Sequence, residues 1–96
     1  MDVTVLYFDG CPHWELTDQR LSALADELGL AVSHRKVTSP QEADRLHFRG
    51  SPTILVDGRD VFAQGDEPVG LSCRVYQTPQ GPAGAPTVAQ LREVLT

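Results

Sequence analysis

An apolar run, Val3-Thr4-Val5-Leu6-Tyr7-Phe8, gives way across Asp9-Gly10-Cys11-Pro12 to a helical pattern lasting to about Leu28. No other stretch constrains the fold as tightly. The β-branched and aromatic run reads as a buried strand, about Val3–Phe8. Pro12 suits a first helical turn, where its missing N–H costs nothing. Helix one is expected over about Pro12–Leu28, with Trp14, Leu21, Leu24, Ala25 and Leu28 recurring at helical spacing and Gly29 as a left-handed cap. Strand two follows at about Ala31–Val37. Its high charge and poor alternation mark an edge strand. A right-handed crossover through helix one makes strands one and two parallel.

Ser39-Pro40-Gln41-Glu42 combines an N-cap, a proline at the first helical position and a capping-box glutamate. A short helix two, about Pro40–His47, is expected with Ala43 and Leu46 inward. Asp57-Gly58 between apolar runs is a two-residue hairpin signal, joining Thr53–Val56 to Arg59–Ala63. Residues 64–86 form a long connection rich in Gly and Pro. Within it, Leu71–Tyr76 alternates as a short added strand would, placing Cys73 on one face with Leu71 and Val75. Thr87-Val88-Ala89-Gln90 is another capping box, and Val88, Leu91, Val94 and Leu95 are the apolar positions of a last helix. The order is β-α-β-α-β-β-α in one α/β domain over residues 1–96, with an insert at about 64–86. The terminal hairpin pairs beside strand one, giving a four-stranded mixed sheet of order 2-1-3-4 with helices on both faces.

The net charge of −5, with eight scattered Lys and Arg residues, argues against a nucleic-acid partner. No apolar stretch approaches the ~20 residues of a membrane span. Met-Asp leads directly into a strand, with no basic segment or apolar signal core, so a cytoplasmic location is expected. In a reducing compartment two cysteines are more often reactive or metal-binding than a structural staple.

Cys11 sits where thiol chemistry is easily activated. Free backbone N–H groups and the helix dipole at a strand-to-helix junction favour thiolate. An imidazole at His13 would add to that preference. Trp14 stands where a Cys-x-x-Cys motif would carry its second thiol. It either anchors the first helical turn on the sheet or forms an apolar wall beside Cys11, and it cannot resolve a mixed disulfide. The other thiol of the chain, Cys73, lies in the insert. Strand four returns toward Pro52, so the insert begins at the Cys11 end of the sheet, and connections of this length are usually functional or disordered. A Cys11–Cys73 bridge requires Cα atoms within about 7 Å. Asp9-Gly10 reads as an ordinary turn. His34 and His47 have no partners at metal-ligand spacing and are expected on the surface. No phosphate loop or Ser-His-Asp arrangement is present, and no metal or cofactor is expected.

Phe8-Asp9-Gly10-Cys11-Pro12-His13 and the later Gly50-Ser51-Pro52-Thr53 together resemble the thioredoxin-like family, at glutaredoxin size. The resemblance covers about residues 1–63 and 87–96. More narrowly, Phe8-Asp9-Gly10-Cys11-Pro12, Ser51–Gly58 and Gly70-Leu71-Ser72-Cys73-Arg74 are similar to small bacterial thioredoxin-like proteins, some labelled alkylmercury-lyase-like. The resemblance implies a three-layer α/β/α sandwich and a cis Pro52 that presents backbone groups to an extended substrate. It also implies substrate contacts from Pro12, His13, Trp14 and Ser51, the Ser51 hydroxyl being available to a thiolate. The implied activity is thiol–disulfide exchange with a protein or small-molecule thiol or disulfide. Cys11 would be the nucleophile and Cys73 a distal resolving thiol. A soft-metal or organomercurial thiol-binding protein and a non-catalytic binding module are the alternatives. Oligomeric state is left open by the sequence.

Overall fold

Strand β1 (Asp2–Tyr7) runs through the middle of the sheet. The computed structural model of the chain describes residues 2–11, 13–63, 65 and 67–96, with only the backbone of His13. On one side β1 pairs in parallel with β2 (Ala31–Lys36), from Asp2↔Ala31 to Tyr7↔Lys36. On the other it pairs antiparallel with β3 (Thr53–Val56), from Val3↔Val56 to Leu6↔Thr53. β3 turns back into β4 (Arg59–Asp60) through Asp57-Gly58, whose φ values of 52° and 81° are those of a type I′ hairpin. The sheet order is β2-β1-β3-β4, as the sequence implies.

Helix α1 (His13–Leu28) makes the crossover from β1 to β2. Helix α2 (Pro40–Leu46) is capped by Ser39, whose hydroxyl accepts from Glu42 N at 3.1 Å, while the Glu42 carboxylate accepts from Thr38 N at 3.2 Å. His47 takes the left-handed conformation at its C-terminus, one residue earlier than the expected end. Helix α3 (Val88–Leu95) opens on a complete capping box between Thr87 and Gln90. No described helix is long and apolar enough to cross a membrane.

Adjacent residues of a strand point to opposite faces, and β1 uses both. Val3 and Val5 pack with Leu21 and Leu24 of α1, Leu91 and Leu95 of α3, and Ile54 and Val56 of β3. Leu6 packs with Val37, Ala43 and Phe48 in a second cluster. Each fully buried side chain of this size contributes about 1.5–3 kcal/mol. Of the expected inward positions of α1, Leu21 and Leu24 are buried, while Trp14, Ala25 and Leu28 are half-buried.

Two expectations are corrected beyond this point. β4 stops at Asp60 instead of continuing to Ala63, because the Asp60 carboxylate accepts from Phe62 N at 3.1 Å and its carbonyl takes Ala63 N at 3.3 Å, turning the chain. The alternation of Leu71–Tyr76 is also inverted. Leu71 and Val75 are exposed, at 36% and 63%, whereas Arg74 and Tyr76 are buried. An inward Arg74 finds the carboxylate of Asp60 at 2.7 Å, and an inward Tyr76 finds the carbonyl of Pro52. Those two polar partners outweigh the burial of Leu71 and Val75. The stretch makes a single parallel bridge, Ser51↔Cys73, and regular pairing begins only at β5 (Tyr76–Thr78), which forms a hairpin with β6 (Gly81–Ala83).

Candidate functional site

Cys11 and Cys73 form a disulfide with a Cα–Cα distance of 5.6 Å across a sequence separation of 62 residues. Cys11 ends the turn that follows β1, where its N–H donates to Phe8 O at 3.4 Å, and α1 begins two residues later. Cys73 arrives on a strap, residues 70–74, that lies along the segment preceding β3. Gly70 N donates to Phe48 O at 3.0 Å, Ser51 N donates to Ser72 O at 2.8 Å, and Arg74 N donates to Ser51 O at 3.0 Å. The strap therefore takes both backbone hydrogen-bonding groups of Ser51. The Ser51–Pro52 peptide bond is cis.

The two sulfurs differ in environment. Cys11 is 0% exposed, so the thiol that the sequence casts as the nucleophile is sealed from solvent. Cys73 is exposed. The Sγ of Cys11 lies 3.6 Å from the carbonyl oxygen of Ser51, an acceptor for its proton in the reduced form. The hydroxyl of Ser51 meets no thiolate in this oxidised state, in which both sulfurs are bridged. It is buried and has no hydrogen-bond partner among the described residues.

Gly50 is what allows the strap to come this close. Its φ is +105°, and a Cβ there would stand 3.0 Å from Arg74 Cβ and 3.1 Å from the Arg74 Cα and N. Only a residue without a side chain fits both the backbone angle and the approach. Beyond Gly50, Thr53 Oγ1 donates to Gly50 O at 2.6 Å and tightens the entry into β3.

A charged network fixes the far end of the strap. The buried Arg74 guanidinium donates to Asp60 at 2.7 Å, approaches Glu67 at 4.0 Å, and lies 4.9 Å from the centre of the Tyr76 ring. Arg49 reaches the same two carboxylates, at 3.5 Å from Asp60 and 3.9 Å from Glu67. The Tyr76 hydroxyl donates to Pro52 O. Burial pushes the Tyr76 phenol pKa up, with Asp60 and Glu67 adding to the rise and Arg74 opposing it. It remains a donor throughout the neutral range. Nothing in the sequence pattern singled out Arg74, Tyr76 or Asp60. Their partners are 14 and 24 residues away in the chain, beyond the reach of any local periodicity.

The remaining expected site residues separate. Trp14 stacks on Tyr7, with centroids 4.2 Å apart and planes at 22°, and meets the His34 ring edge-on. That is the anchoring role, tying the first turn of α1 to the sheet. Pro12 and the side chain of His13 lie outside the described residues. Asp9 is in a turn and pairs with Lys36, which raises the Lys36 pKa. His34 and His47 are exposed, as expected, and His34 pairs with Asp18. Among the described residues, no three His, Cys, Asp or Glu side chains are grouped to hold a metal ion.

No family model, curated protein or solved structure matches this chain. The fold and the site define its class on geometry: a mixed α/β domain with a four-stranded sheet of order β2-β1-β3-β4 and a disulfide at the end of its central strand.

Proposed function

We propose that the chain is a thioredoxin-like three-layer α/β/α domain that carries out thiol–disulfide exchange with Cys11 and Cys73 as its redox couple. One observation carries this reading. The two cysteines of the chain, far apart in sequence, meet at the junction of β1 and α1 beside Ser51. The packing of Val5 with α1 and α3, and of Leu6 with α2, supports the layering. With Trp14 in the place of a nearby thiol, Cys73 supplies the second sulfur of the couple. Oxidation and reduction then interconvert the bridge and a dithiol, and a thiol or disulfide substrate takes up or yields the two electrons.

The burial of Cys11 favours one competing reading. A bridge with one sealed sulfur, closing a long loop, is also how a non-catalytic binding domain would staple its insert. Turnover separates the two. On the exchange reading, catalytic amounts of the protein should accelerate reduction of a peptide disulfide by dithiothreitol, and Cys11→Ser or Cys73→Ser should each remove the acceleration. A rate equal to the uncatalysed one, with either variant indistinguishable from the parent, leaves the staple.

A further inference from the structure

Of the two bridged residues, one is buried and the other exposed. Thiol–disulfide exchange proceeds by a thiolate approaching one sulfur while the other departs, so access to the attacked sulfur decides the order of events. Cys11 is 0% exposed, and its sulfur is backed by the Ser51 carbonyl at 3.6 Å. Cys73 is exposed. A groove of about 290 Å³ opens beside it, lined in part by Arg49, Ser72, Arg74 and Val75.

We propose that Cys73 is the sulfur that meets substrate and that Cys11 is the buried partner that leaves and resolves, the reverse of the order the sequence suggests. The proposal rests on the exchange reading above. In the reductive direction an external thiolate attacks Cys73 Sγ. A bond forms between the external sulfur and Cys73, the Cys11–Cys73 bond breaks, and its electron pair departs on Cys11 Sγ. The Cys11 thiolate then takes up a proton and, as a thiol, has the Ser51 carbonyl as an acceptor already in place. A second external thiolate attacks the first external sulfur, releasing Cys73 as thiolate and an external disulfide. Two external thiols are oxidised and the bridge is reduced to a dithiol. In the opposite direction Cys73 attacks a substrate disulfide, carries the mixed disulfide, and Cys11 closes the bridge.

The anchoring of the strap fits this order. Its hydrogen bonds to Phe48 and Ser51 and the Arg74–Asp60 pair do not involve the sulfurs. Cys73 therefore stays near Cys11 after the bridge opens. The pair needs no large movement to re-form it.

The test is mapping of the mixed disulfide. Oxidised protein is treated with reduced glutathione, quenched in acid, alkylated with iodoacetamide, digested and read by mass spectrometry. Glutathione on Cys73 with the alkyl group on Cys11 is expected; the opposite placement overturns the proposal. Where the mixed species is too short-lived to trap, the reduced single-cysteine variants are compared with an aromatic disulfide reagent. Cys73 in Cys11→Ser should react at least about tenfold faster than Cys11 in Cys73→Ser, since exposure controls thiol reactivity. Equal rates, or faster Cys11, contradict it. A bridge that glutathione never opens overturns the exchange reading and this order with it. A bridge that opens with glutathione on Cys11 overturns only the order.

Discussion

Arg74 is the residue on which the strap turns. Its guanidinium is buried against Asp60, which is itself buried. Truncating one member of a buried ion pair strands the other, at a typical cost of about 3–5 kcal/mol. Arg49 still lies 3.5 Å from Asp60. Arg74→Ala should therefore lose stability at the lower end, about 3 kcal/mol, as read by urea unfolding. The double variant with Asp60→Ala should lose less than the sum of the two single changes. Tyr76 allows a sharper test, because its contribution depends on pH. Its folded pKa lies above the ordinary value of ~10. As pH rises, the unfolded chain loses this proton first. The stabilisation is complete below about pH 10 and is lost as pH climbs through the raised folded value. Tyr76→Phe should cost about 1–2 kcal/mol at neutral pH through the lost bond to Pro52 O. It should also flatten the decline in stability above pH 10, measured by denaturant midpoints across that range. An equal alkaline slope in the variant would contradict the account of Tyr76.

At the scale of elements, the strap and the segment before β3 form one unit, and Gly50 is its hinge point. Gly50→Ala places a side chain at a φ of +105° and against the Arg74 backbone. The expected cost is about 1–3 kcal/mol, with slower re-formation of the bridge after reduction, followed by alkylation over time. Re-formation at the parent rate would show that the strap does not depend on this close approach. The same region marks the limit of what the sequence discloses. β1, β2, α1, α2, α3 and the Asp57-Gly58 turn all announce themselves by local period, caps or turn chemistry. The Cys11 junction was legible for the same reason, whereas the Gly50-Ser51-Pro52-Thr53 segment stood out only through the family resemblance. The strap was not. Its apolar residues alternate as if Leu71, Cys73 and Val75 faced inward, yet Asp60 and the Pro52 carbonyl draw Arg74 and Tyr76 inward instead. The β5–β6 hairpin was hidden by Pro79 and Pro82, residues that ordinarily argue against strands. Pro82 is accommodated because its strand pairs on one side only, in a two-stranded sheet.

For the whole molecule, the bridge ties the end of the central strand to an insert that would otherwise be held by a handful of hydrogen bonds and one ion network. Closing a loop of 62 residues removes chain entropy worth about 4 kcal/mol from the unfolded state. Reduced protein should be less stable than oxidised protein by about that amount in urea unfolding, with the sheet and helices retained under native conditions. A loss of folded structure on reduction alone would mean that the bridge makes the fold rather than serves it. The central claim, that Cys11 and Cys73 are a working redox couple, is tested most directly by redox equilibrium. The protein is equilibrated in glutathione buffers of graded potential, and the fraction bridged is counted after rapid alkylation. The account predicts a reversible two-electron transition with a midpoint between about −120 and −270 mV, the range of exchange couples. A bridge still closed in buffers below about −300 mV, where structural disulfides lie, would contradict it.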